Sequence, residues 1–118
     1  MRNLLIAAAG ILFFAFVPGD KLVGRWETKP SANGHTTGVV FKADGAFEGY
    51  VNKKPFVSGN YTFKDETITF TDNGCDGSKA VYKVVFFSYE DSLRFEPISD
   101  TCTDRRNGMT RLILGRVK

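Results

Sequence analysis

Histidine, tryptophan and cysteine are nearly missing from this chain, with one, one and two copies in 118 residues. A single imidazole leaves no second histidine for a metal site, and it makes His35 the sole side chain able to act as the base of a hydrolytic triad. His35 falls in the glycine-containing stretch 32–37, where a solvated loop side chain is the ordinary reading. Neither sign of charge is in large excess: 16 basic and 13 acidic side chains give a net charge of +3. Basic residues adjoin only at the pairs Lys53–Lys54 and Arg105–Arg106, without the dense stripe and interleaved stacking aromatics of a nucleic-acid footprint, so no nucleic-acid partner is expected. The adjacent acids Asp65–Glu66 and Glu90–Asp91 are neighbours in turns and point apart, which does not suit glycoside cleavage. The segment from Asp72 to Gly77 starts like a calcium loop, but Lys83 stands where the closing glutamate belongs. The expectation is a chain that is not an enzyme, with no metal ligands and no cofactor.

Long hydrophobic runs are also scarce. The one present, residues 4–17, follows Arg2 and precedes Pro18, Gly19 and Asp20. It is shorter than the roughly 20 apolar residues of a bilayer span, and Val17 and Gly19 are small residues at the positions read by signal peptidase. Residues 1–19 are therefore read as a signal peptide cleaved after Gly19, with residues 20–118 exported to a periplasmic or secreted location as one small domain. No cysteine follows the run, which argues against an acylated terminus, and no stable membrane insertion is expected once the leader is gone. An oxidising compartment favours pairing the two cysteines, Cys75 with Cys102, over free thiols or metal ligands.

Helical patterning is the third thing lacking. After Lys21 the apolar period is close to two: Val39 and Phe41 alternate with Val40 and Lys42, Ile68 and Phe70 with threonines, and Leu93 and Phe95 with Arg94 and Glu96. Strands are predicted over 22–29, 36–43, 46–52, 56–64, 67–72, 79–88, 93–98 and 109–117. Asp44–Gly45 is expected to form a two-residue hairpin with both residues at positive φ, and Asp65–Glu66 another tight reversal. Residues 99–108 are the long irregular segment, with a helical turn capped by Asp100 or Thr101. Pairing of Arg105 with Asp100 would order it.

Eight short strands, each with one apolar face, leave two raw edges unless the sheet closes. The fold class is therefore all-β, a small eight-stranded antiparallel up-and-down barrel with no large helix. Its interior is drawn from Trp26, Val39, Phe41, Phe47, Tyr61, Phe63, Ile68, Phe70, Tyr82, Val84, Phe86, Leu93, Phe95, Leu112 and Leu114. Phe41, Phe47, Tyr61, Phe63, Phe70, Tyr82, Phe86 and Phe95 are the candidate ligand-binding side chains, with the Tyr61 and Tyr82 hydroxyls adding polar groups to an oily interior. Val85 and Phe87 fall on the outer face.

Leu22, Gly24 and Trp26, a glycine two before a tryptophan at the opening of the first strand, resemble the lipocalin or calycin signature. The chain is similar to small bacterial lipocalin-like proteins. The resemblance implies that Trp26 plugs the closed end of the barrel and that a basic side chain of the last strand, here Arg116, lies across its ring. A second similarity, to exported lipocalin-like domains, covers Cys75, Asp100, Cys102 and Arg105, so most of residues 20–118 is included. Typical lipocalins are longer and carry a helix after the barrel, so a shallower cup is implied here. Avidins share the opening glycine and tryptophan, but one tryptophan cannot build their biotin clamp. Two functions of different class follow: binding of a small hydrophobic ligand in or at the mouth of the barrel, or a filled barrel that acts through its outer surface as an interaction or inhibitor module. Oligomeric state is not specified by these residues.

Overall fold

A computed structural model describes residues 21–118; the leader assigned to 1–19 lies outside the described residues. The strands are β1 (Gly24–Glu27), β2 (Thr37–Phe41), β3 (Ala46–Val51), β4 (Lys54–Lys64), β5 (Thr67–Asp72), β6 (Ala80–Phe87), β7 (Ser92–Ser99) and β8 (Ile113–Arg116). Each pairs antiparallel with the next, and β8 returns to β1 through Trp26↔Arg116 and Glu27↔Gly115, so the eight strands form a closed barrel. Closure, core and disulfide all lie within residues 21–118, so this part carries everything needed to fold alone.

Inward positions repeat every second residue because the pleat alternates. The buried set holds Trp26, Phe41, Phe47, Tyr61, Phe63, Ile68, Phe70, Tyr82, Val84, Leu93, Phe95 and Leu114, joined by Leu22 and Ala80, with Val39, Phe86 and Leu112 partly buried against it. One end is closed by short reversals after β2, β4 and β6. There Trp26 is fully buried, its indole Nε1 donates to the Leu22 carbonyl at 2.9 Å, and the Arg116 guanidinium lies 4.3 Å from the ring centroid. Arg116 also donates to the carbonyls of Lys21 and Val23, so the last strand is tied to the segment that enters the first. Gly24 beside it has φ of +134°, a conformation that side chains resist, which explains a glycine there.

Several expected boundaries shift for identifiable reasons. Residues 42–45, not Asp44–Gly45 alone, make the β2–β3 reversal: Gly45 N–H donates to the Lys42 carbonyl and only Gly45 takes positive φ. Asp44 stays out of the left-handed region because its carboxylate accepts the Ala46 amide. A two-residue turn with both residues at positive φ is found instead at Asn52–Lys53 and at Asp65–Glu66. The predicted last strand over 109–117 is shortened to Ile113–Arg116, since Met109 belongs to α1 (Thr103–Met109), the single α-helix among the described residues. Cys102, not Asp100 or Thr101, is its N-cap; the Asp100 carboxylate accepts the Cys102 amide and spends its other bonds on Arg105 and Tyr82.

Candidate functional site

The open end is built from the β1–β2, β3–β4 and β5–β6 connections and the segment carrying α1. Side chains fill the barrel unevenly along its axis. Near the closed end, Phe63 and Phe86 pack edge-on and Trp26 leans on Phe86. In the middle, Phe41 meets Tyr61, Phe47 meets Phe70, and Tyr82 stacks on Phe70 with its edge to Phe95. Towards the open end the inward positions become small: Val39, Gly49, Val51 and Val57. A Cβ on Gly49 would come within 2.7 Å of Val57, so a larger residue there would intrude on this space. The result is a cavity of about 750 Å³ opening at this end, floored by Phe41, Phe47, Phe70 and Phe95 and roofed in part by Met109 and Leu112.

One wall is polar but self-contained. Arg105, on α1, has a side chain only 8% exposed; its Nε and Nη2 donate to both oxygens of Asp100, which is 0% exposed. The same guanidinium reaches Asp72, itself 7% exposed, and the Ser78 carbonyl and hydroxyl, and it lies over the Phe70 ring. The disulfide between Cys75 and Cys102 ties the two chain segments of this cluster together across 27 residues. Burial pushes the Asp100 carboxyl up, but the bonds from Arg105, Tyr82 and the Cys102 amide outweigh it and hold its pKa below the usual carboxylate range. Burial and the Asp100 carboxylate raise the Tyr82 pKa well above its ordinary value. The four aspartates Asp72, Asp76, Asp100 and Asp104 do gather at this end, and the arginine, not a cation site, organises the two buried ones.

Of the eight candidate ligand-binding residues, Phe41, Phe47, Phe70 and Phe95 face the cavity, while Tyr61, Phe63, Tyr82 and Phe86 do not line it. Phe63 and Phe86 belong to the packing round Trp26. The expected free hydroxyls are spent: Tyr61 donates to the Lys42 carbonyl at 2.6 Å and Tyr82 to Asp100. Buried hydroxyls seek partners, and backbone or carboxylate oxygens lie within reach of both, so neither is offered to a ligand. Sequence reasoning missed Thr37, Gly49, Val51, Phe56, Val57 and Met109, all of which line the cavity. The signal that could have found them is the run of small inward residues on β2 to β4, together with the break in alternation at Pro55–Phe56. His35 lies in the exposed β1–β2 loop, where its amide bonds Ser31, outside the cavity lining.

Comparison of the chain with family models, with curated proteins and with solved structures returned no match.

Proposed function

We propose that the chain is an exported, lipocalin-like barrel of the calycin kind that binds a small apolar ligand, without catalysis, in the cavity at its open end. The observation that carries this reading is the half-filled interior: aromatic rings pack the closed end and the middle, and about 750 Å³ of apolar-walled space is left above them. A space of that size falls within the range of about 300–1,000 Å³ common to small-molecule sites. With both tyrosine hydroxyls and each guanidinium nitrogen of Arg105 already bonded, hydrocarbon is the chemistry the floor and walls favour. Arg116 across Trp26 supports the lipocalin-like assignment, and the apolar leader together with the disulfide supports export.

The test is to produce residues 20–118, look for a co-purified apolar mass by native mass spectrometry, and titrate a fluorescent apolar probe. One saturable site is expected, and Val57→Trp, which fills the cavity from its wall, should abolish it while the barrel still melts cooperatively. No bound mass together with no probe uptake would overturn the reading in favour of an interaction or inhibitor module that works through the outer surface.

A further inference from the structure

Charge is distributed unequally between the two ends of the barrel. At the closed end, Lys21 pairs with Glu66 and Glu90, and Arg116 and Lys118 pair with Asp91. At the open end, the two buried carboxylates Asp72 and Asp100 are consumed by Arg105. Among the described residues nine basic side chains form no ion pair; Arg25, Lys64 and Lys83 lie along strands, and the other six, Lys29, Lys53, Lys54, Lys79, Arg106 and Arg111, lie at this end, on its connections or, for Lys54, on the first residue of β4. The carboxylates that oppose them there are Asp76 and Asp104, both exposed and on the disulfide side, and Glu27, which shares a depression with Lys29 and Arg111 and accepts the Tyr50 hydroxyl.

The β3–β4 hairpin concentrates this feature. Its turn, Asn52–Lys53, holds both residues at positive φ, and Asn52 is clamped to the neighbouring loop: its amide donates to the Thr36 carbonyl and its side-chain oxygen accepts the Thr36 amide. Lys53 and Lys54 are thereby presented on a fixed tip. Pairing then jumps from Gly49↔Val57 to Tyr50↔Pro55, so Phe56 is the extra residue of a bulge with no partner across the ladder. The bulge breaks the alternation and turns Phe56 out to 74% exposure at the rim of the apolar cavity. An exposed ring, two lysines beside it and further unpaired cations on the same rim match the two layers of an anionic bilayer, phosphate outside and hydrocarbon just beneath.

We propose that the open rim is a peripheral docking surface for anionic lipid membranes: Phe56 enters the headgroup boundary, and Lys53 and Lys54, helped by Lys29 and Arg111 beside one shallow depression, engage phosphates. Docking in this pose turns the mouth of the cavity towards the lipid. The surface stands whether or not the cavity is loaded, so its test is separate from the ligand titration.

The experiment is co-sedimentation of residues 20–118 with vesicles of phosphatidylglycerol and phosphatidylcholine mixed, against pure phosphatidylcholine. Binding to the anionic vesicles only, lost at high salt, is expected. Each basic side chain near such a surface multiplies affinity by about fivefold, so the charge-neutralising K53Q/K54Q variant should bind about 25-fold more weakly. Phe56→Ser, which removes the inserted ring, should weaken binding about tenfold. All these positions are exposed, so far-ultraviolet circular dichroism should show an unchanged barrel. Equal sedimentation with both vesicle types, or variants that bind like the parent, would overturn the proposal. So would a lipid-free dimer in sedimentation velocity that Phe56→Ser dissolves, because the patch would then belong to a second copy of the chain.

Discussion

Removing the Asp100 carboxylate should cost the barrel about 3–5 kcal/mol, because the change strands a buried arginine. In Asp100→Ala, Arg105 keeps Asp72 and Ser78 but loses its two-pronged partner, Tyr82 loses the acceptor for its hydroxyl, and the Cys102 amide that precedes α1 loses its cap. The side chains involved are 0% and 8% exposed, so water does not replace what is lost. Urea unfolding at neutral pH with the disulfide intact reads the difference directly. For a domain of this length it corresponds to a fall in Tm of about 15–25 °C. The sign of the pH dependence follows from the direction of the shift. Asp100 has a folded pKa below its unfolded value of about 3.9, so its contribution is complete above that pH and fades as pH falls through the folded value. The gap between parent and variant should therefore be widest at neutral pH and shrink in acid. Replacing every charge of the cluster, Asp72→Asn and Asp100→Leu with Arg105→Met, should cost less than Asp100→Ala, since no uncompensated buried charge remains. A loss under about 1 kcal/mol for Asp100→Ala, or a gap that stays constant into acid, would refute the reasoning.

Trp26→Ala should destabilise the barrel by about 3–5 kcal/mol in the same assay, because it empties the closed end and leaves Arg116 without its ring; a change under about 1 kcal/mol would mean that Trp26 is no plug. Cys102→Ser should lower stability by about 3 kcal/mol by opening a 27-residue loop, and thiol titration should then find one free cysteine, Cys75. Tyr50 lies across Gly38 on the outer face and donates to Glu27 at 2.8 Å, with its pKa pushed up to about 12 by burial and by that carboxylate. A Cβ at Gly38 would overlap the ring, so Gly38→Ala should displace it and bring its phenolate titration back towards about 10, followed by ultraviolet absorbance. Because the folded pKa is the higher one, this tyrosine favours folding below about pH 10 and loses that contribution as pH rises towards about 12.

The strand order and closure were legible because a period of two is a strong signal and each raw edge is costly. Ile68 and Phe70, or Leu93 and Phe95, could face only one way in a one-sided sheet. The pairing of Cys75 with Cys102 was legible because two cysteines allow one intramolecular bridge, and that of Arg105 with Asp100 from charge. Thr110 and Leu112 imitate strand alternation, but tertiary contacts decide otherwise: Arg105 is anchored to Asp72, Asp100 and Ser78, which fixes a helix through Met109 and delays β8 to Ile113. The cavity was harder to foresee. Composition counts rings without saying at which height along the axis they lie, so the eight phenylalanines of residues 20–118 read as a filled barrel or a lined one, with only a slight lean to the second. Height is set by register, and the bulge at Phe56 shifts register by one residue with no local sign other than Pro55. The hydroxyls of Tyr61 and Tyr82 read as pocket groups because their partners, the Lys42 carbonyl and Asp100, are 19 and 18 residues away.

The most direct test of a half-filled barrel that takes an apolar guest is methyl nuclear magnetic resonance of residues 20–118 titrated with a small apolar probe. The cavity predicts saturable shifts of the Val39, Val51, Val57 and Leu112 methyls at the open end, with those of Leu22 and Leu93, packed at the closed end, left in place. No shifts at saturating probe, or shifts confined to exposed Ile98 and Ile113, would contradict it.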